Sequence, residues 1–262
     1  MKAPLDSTKL QPGAELAVGT ATIPVYQKEF WTPKQRAAHP LHEISYRACY
    51  KPQLPAYFLE HYGKPGQTVF DPFLGRGTTL IEAQLRGFRG AGSDLNPLCL
   101  RLAAPRLARV EETAVRERLS AVQLDRQALE REDLLAFFHP DTLGEIEAWR
   151  RYFAWRRAAG LCDVLDSWIE MVAANRLTGH SPGFFSVYSM PPNQAVTVER
   201  QWIINARLRQ EPAPRDTKAI ILKKTRSLLK APLPKGNGSQ PAHCLWRRQM
   251  RWGFNPMPVW IW

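Results

Sequence analysis

The chain has no Cys-x-x-Cys pair, and its four cysteines (Cys49, Cys99, Cys162 and Cys244) stand far apart. That scatter excludes the usual structural zinc site. His39 and His42 are three residues apart, but nothing near them in sequence completes a ligand set. Reduced structural thiols and no metal are therefore expected. No apolar run approaches the roughly 20 residues that a membrane helix needs. The opening Met1-Lys2-Ala3-Pro4-Leu5-Asp6 lacks the apolar core of a secretory signal. A soluble, cytoplasmic protein with no membrane partner is the expectation. Acid is also missing from one end: beyond Asp216 there is no Asp or Glu. The nine basic residues there, from Lys218 to Arg251, carry most of the net charge of +12. Such a patch suits a polyanion, double-stranded DNA above all, although a solvated face has the same composition. Lys223, Lys224 and Arg226 are the candidate phosphate contacts.

What is present is globular. At 262 residues, 44% hydrophobic and 23% charged, the chain can bury one core, or one core plus a helical lobe. Residues 1–40, rich in Pro, Gly and Thr without a clear period, read as an arm. Residues 41–97 read as an αβ core. Residues 52–61 suit a short helix, and Thr68-Val69-Phe70 a buried strand. A glycine turn follows, then a helix from Thr78 to about Arg86 and a second strand over 89–95 that ends in acid. The pattern is one parallel βαβ unit, hence an α/β fold.

Residues 98–183 form an all-helical insertion. One stretch runs through Val115, Leu119 and Val122, another through Ile146, Trp149 and Phe153, and a third from Asp163 to Leu177 with Gly179 as its cap. Phe184–Tyr188 has strand character. Residues 184–230 return to the core and include helices over 194–210 and 216–230. Residues 231–262, with four tryptophans and five prolines, read as an irregular Trp/Arg-rich tail. No internal repeat is visible.

The chemistry concentrates in Asp71-Pro72-Phe73-Leu74-Gly75-Arg76-Gly77-Thr78-Thr79, directly after a strand and opening a helix. Glycines at 75 and 77 let the backbone turn tightly and approach a ligand. The helix beyond offers unpaired N–H groups and a positive dipole end to a carboxylate. Asp94, at the end of the next strand, can accept both hydroxyls of a ribose. Any strand–turn–helix can hold two glycines. The flanking Asp-Pro-Phe, Thr-Thr and Asp94-Leu95-Asn96-Pro97 make this turn more specific, and favour S-adenosylmethionine over NAD.

Asp-Pro-Phe-x-Gly-x-Gly-Thr-Thr resembles the cofactor motif of the amino-methylating DNA methyltransferases, the cytosine-N4 and adenine-N6 enzymes. The segment His42–Pro55 is similar to the one that precedes the core in that family. Residues 177–185 and Pro191–Val196 resemble a bacterial site-specific branch of the cytosine-N4 type. The resemblance covers roughly residues 40–230. It implies a Rossmann-like methyltransferase core, S-adenosylmethionine as cofactor and a restriction-modification or orphan modification system. Asp71 would hold the methionine ammonium, while Phe73 and Gly75 would shape the floor. Gly77, Thr78 and Thr79 would meet the carboxylate. Asp94 would bind the ribose, Asn96 and Pro97 would border the adenine, and Gln53 and Leu54 would close the pocket.

The family's second motif, Ser/Asn/Asp-Pro-Pro-Tyr/Phe, is not evident. Its first side chain and a carbonyl accept the amine hydrogens, and its aromatic ring stacks on the flipped base. The chain's one Pro-Pro pair lies in Ser189-Met190-Pro191-Pro192-Asn193. Met190 is a poor acceptor and Asn193 cannot stack, so Ser189, Pro191, Pro192 and Asn193 are weak catalytic candidates. The acid-free tail begins where that motif is expected and reads like a truncated or frame-shifted end. Three readings stay open: an amino-group DNA methyltransferase, a cofactor- and DNA-binding fragment or one chain of a split enzyme, and an RNA methyltransferase. No cysteine follows a proline, which argues against cytosine-C5 chemistry.

Overall fold

A computed structural model describes residues 14–26, 29, 38–46, 49–64, 66–190, 194–231 and 233, and the backbone of 243–245. The chain divides into two compact units, residues 1–37 and 38–262. Within the first, β1 (Ala14–Val18) and β2 (Ala21–Val25) pair antiparallel, with Ala14 opposite Val25 and Val18 opposite Ala21. Gly19 turns the hairpin at a φ of 61°. The region read as an arm without period thus holds a hairpin. Pro24 and the Gly-Thr turn hide an alternating strand pair.

The second unit is α/β. Its order opens with a 3₁₀ turn (Pro40–His42), α1 (Gln53–Tyr62), β3 (Thr68–Asp71), α2 (Thr78–Leu85), β4 (Arg89–Ser93) and α3 (Pro97–Leu107). There follow α4 (Glu112–Ala121), a second 3₁₀ turn (Glu132–Ala136), α5 (Pro140–Ala158), α6 (Val164–Arg176), α7 (Val198–Leu208), α8 (Thr217–Leu228) and β5 (His243–Leu245). The sheet order is β3-β4-β5, parallel throughout, with Thr68 opposite Arg89 and Asp71 opposite Gly92. The βαβ unit expected from sequence is there. Two expectations are corrected. Phe184–Tyr188 forms no strand and touches strand geometry only through a Thr178–Ser186 bridge, because the run is too short to pair further. Residues 243–245 of the tail add the third strand beside β4; the rest of that tail lies outside the described residues, apart from Ala231 and Leu233.

β4 is short of side chains where the helices come close. A Cβ on Gly92 would meet a Leu74 methyl at 2.9 Å and the Asp71 carbonyl at 3.2 Å. Val69, on β3, packs against Leu59, Ala83 and Phe88 of the α1–α2 layer. The alternate residue Phe70 points the other way and is 58% exposed. Arg89 N–H donates to the Gln67 carbonyl. Because alternate residues of a parallel strand face the same neighbour, the backbone groups of Thr68 and Phe70 face away from β4. Among the described residues no strand pairs with that edge.

The helical region is tightly closed. Trp149 and Trp168 are fully buried, and their indole N–H groups donate to Thr217 Oγ1 and Thr225 Oγ1 of α8, both at 3.1 Å. Helix α6 starts at a capping box between Asp163 and Asp166. Its other end is Leu177 rather than a glycine cap at 179: Gly179 N–H donates to Ser186 O, and its bare Cα lies against the Phe184 ring. Asp166 is fully buried yet satisfied, taking bonds from Arg118 at 2.6 Å, Arg156 at 2.8 Å, Tyr152 at 3.0 Å and the Asp163 N–H at 3.2 Å. Among the described residues no helix is long and apolar enough to cross a membrane.

Candidate cofactor site

β3 ends in Asp71, and the chain reverses through Gly75 and Gly77, at φ values of 51° and 81°. Both angles lie in the left-handed region that a Cβ disfavours. Gly77 carries a second constraint, since a Cβ there would stand 2.7 Å from the Ala103 Cβ of α3. It is also the N-cap of α2 and supplies no side-chain cap. The first-turn amides of α2 are thus left for another acceptor, the arrangement that holds a carboxylate at a helix N-terminus.

Both acids accept from backbone N–H groups of this turn. Asp94 Oδ2 accepts from the Gly75 N–H at 2.8 Å, and Oδ1 from the Asn96 N–H at 2.9 Å. Asn96 in turn caps α3 through the Leu98 N–H at 3.0 Å, and Pro97 occupies the first turn. The carboxylate is thereby fixed in place, and each oxygen keeps a second lone pair for an outside donor. Asp71 is held in the same way: Oδ1 accepts from the Phe73 N–H at 3.0 Å, and Oδ2 from Tyr50 Oη at 3.2 Å. Tyr50 also bonds Thr79. Phe73 projects from the turn at 85% exposure, whereas Thr78 is buried and takes a bond from Arg76 Nε at 3.2 Å. Asp71, Gly75, Gly77, Thr78, Thr79, Asp94, Asn96 and Pro97 therefore converge on one end of the sheet. Gln53 and Leu54 open α1, three and four residues after Tyr50.

Sequence reasoning missed the residues that lock this turn. Arg76 donates from Nη1 to the carbonyls of His42 at 3.1 Å and Ile44 at 3.0 Å. Arg106, fully buried, binds the carbonyls of Leu41 at 2.7 Å and Leu102 at 2.8 Å, and also that of Arg76. Burial, aided by the neighbouring Arg76 charge, pulls the Arg106 guanidinium down to about 9. Two arginines thus clamp the 41–44 segment to the glycine turn through main-chain carbonyls. Tyr46 bonds Cys99 Sγ at 3.0 Å, and burial pushes that thiol up to about 12. It stays a neutral, unreactive thiol. His42, buried against Glu82 at 2.6 Å, has its pKa lowered because burial outweighs the carboxylate. A cleft of about 470 Å³ opens between His42, Glu43, Ile44, Ser45, Tyr46, Arg76 and Gln194, beside the turn. An arginine inside the glycine motif was the one signal in the sequence that pointed to this clamp.

The weaker candidates fare differently. Ser189 is buried, and its Oγ has no hydrogen-bond partner among the described residues. Pro191, Pro192 and Asn193 lie outside the described residues. On α8, Lys224 bonds Glu43 at 3.0 Å and Arg226 bonds Glu112 at 2.9 Å. Lys223 is exposed and, among the described residues, forms no ion pair. No cluster of three metal-ligating side chains occurs among the described residues.

Residues 20–104 match the DNA methylase family of N6 and N4 type. The chain is 34% identical over 79 residues to the type II methyltransferase M.MjaII of Methanocaldococcus jannaschii, a stretch covering 30% of this chain and 15% of that protein. No solved structure matches. Over these residues, which contain the glycine turn, both acids and the clamped upstream segment, the chain is similar to the amino-methylating DNA methylases.

Proposed function

We propose that the chain is the cofactor-binding portion of an S-adenosylmethionine-dependent DNA methyltransferase that acts on an exocyclic amine. Cytosine-N4 is the preferred target, and a bacterial restriction-modification or orphan modification system the setting. The observation that carries this reading is the pair of fixed carboxylates, Asp71 and Asp94, flanking a left-handed glycine turn at an uncapped helix start. These residues fit the group. Asp94 offers lone pairs to the ribose hydroxyls, and the first amides of α2 offer donors to the methionine carboxylate. Asp71 offers charge to the ammonium, and Asn96 and Pro97 a border for the adenine. When bound, S-adenosylmethionine supplies the electrophilic methyl. The chain's own share is to hold that ligand in one pose, since positioning accounts for much of the rate of a transfer. A Rossmann-like arrangement is the fold we infer, from the parallel β3-α2-β4 unit and a ligand site at the strand ends.

A further reading concerns the acceptor motif. In doubly wound sheets the ligand crevice opens between the first strand and a neighbour from the other half. Among the described residues that side of β3 is unpaired. That edge leaves room for a Ser/Asn/Asp-Pro-Pro-aromatic segment, and we place such a segment, rather than Ser189 and its neighbours, at the acceptor site. The chain alone should transfer no tritiated methyl to mixed-sequence duplex. Addition of a polypeptide from the adjoining reading frame that carries Ser-Pro-Pro-Phe or Ser-Pro-Pro-Tyr should restore transfer. Robust transfer by the chain alone would overturn this reading of the acceptor motif and make Ser189 and Asn193 the first residues to substitute.

A further inference from the structure

Helix α7 is inside out. Its buried positions are Gln201, fully enclosed, and Asn205. Gln201 donates to Asn205 at 2.7 Å, Asn205 donates to the Ala136 carbonyl at 2.7 Å, and Gln210 donates to Asn205 at 2.8 Å. The helix is thus held to the second 3₁₀ turn by amides, with Val198 and Ile204 half-buried, while Trp202, Ile203 and Leu208 face solvent at 48%, 58% and 57% exposure. Burial alone would favour the reverse assignment, so this outward face calls for a partner.

The charges on that face name the partner. At 100° per residue, Ile203 sits between Arg200 and Arg207 on one flank and Glu199, with Trp202 beyond it, on the other. Arg200, Arg207 and the left-handed cap Arg209 are exposed, and among the described residues no carboxylate pairs with them. Glu199 also points outward, in the first turn where its charge complements the helix start. The basic helix α8, by contrast, has Lys224 and Arg226 tied up in ion pairs. Unpaired arginines seek phosphate oxygens, and an exposed indole and a branched aliphatic beside them can stack on or wedge between bases. A second copy would bring like-charged flanks together around a small apolar patch.

We propose that the outer face of α7 is the surface that grips duplex DNA, with Arg200 and Arg207 on the phosphates and Trp202 and Ile203 against the bases or sugars. This rests on the DNA methyltransferase reading and gives it a surface. The test is fluorescence anisotropy of a mixed-sequence 30-base-pair duplex with the full chain, over a range of salt. Replacing both Arg200→Gln and Arg207→Gln should lower the slope of log K against log salt by about 1.8, at ~0.9 per lost phosphate contact. Arg200→Lys with Arg207→Lys should keep the slope, and Trp202→Ala should weaken binding without changing it. Lys224→Gln with Arg226→Gln should leave both unchanged. An unchanged slope in the Arg→Gln pair would overturn the proposal. So would sedimentation showing a dimer that Ile203→Asp abolishes while DNA affinity stays the same. Cofactor binding measured in parallel separates the two failures: S-adenosylmethionine bound with DNA indifferent to α7 sinks this surface and leaves the enzyme reading standing.

Discussion

The helical region and the sheet region of the larger unit solve the same burial problem to different degrees. Among the helices, a pair of tryptophans and the Asp166 carboxylate are enclosed, with Arg118 and Arg156 half-buried around the latter, and each indole N–H and that carboxylate has named partners. In the sheet, the parallel strand β3 keeps one backbone edge unpaired among the described residues, and Phe70 and Phe73 stand in solvent. Parallel sheets are ordinarily covered on both faces. The helical region is finished as a fold, whereas the sheet region forms one wall of a site.

A region closed this tightly should be brittle. Asp166→Ala removes the one acceptor that Arg118, Arg156 and Tyr152 share and leaves their donors facing a void. Breaking a buried ionic cluster by removing one partner costs about 3–5 kcal/mol, and chemical denaturation should show a loss of that size. A loss within ~0.5 kcal/mol, the range of ordinary surface changes, would make the network decorative and blunt the comparison.

A smaller effect sharpens the comparison from the sheet side. His42 is buried beside Glu82, and its pKa lies below the ordinary 6.5 because burial outweighs the carboxylate. A depressed histidine binds fewer protons folded than unfolded. Its neutral form therefore supports the fold fully above pH 6.5, and that support is lost as the pH falls below it. Unfolding free energy measured from about pH 8 to about pH 5 should decline below the ordinary histidine value, and His42→Gln should flatten the decline. A variant whose profile parallels the native one would assign the decline elsewhere.

Much of this contrast was legible in the residues. The glycine turn, Asp94 and the α2 start were readable because φ above zero and uncapped amides leave sharp marks in sequence. The helical stretches were readable from their apolar period, and Val115, Leu119, Trp149, Phe153 and Trp168 are buried as that period requires. What escaped was long-range or contrary to pattern. Arg76 and Arg106 act through carbonyls far away in sequence, and no local rule predicts such partners. The β1–β2 hairpin was hidden by its proline, and His243–Leu245 is too short to signal a strand. Helix α7 was read as a helix over 194–210 and is one, but its polar inner face follows no apolar period. Lys224 and Arg226 looked free because Glu43 and Glu112 lie over a hundred residues away.

The central claim is that the turn between Asp71 and Asp94 binds S-adenosylmethionine. Isothermal calorimetry on the full chain, with Asp94→Ala beside it, tests this directly. The account predicts measurable binding by the native chain and a loss of about 1.5–3 kcal/mol in the variant, the worth of a hydrogen bond to a charged group. Folded protein that binds no S-adenosylmethionine, or an Asp94→Ala variant that binds as tightly as the native chain, would contradict it.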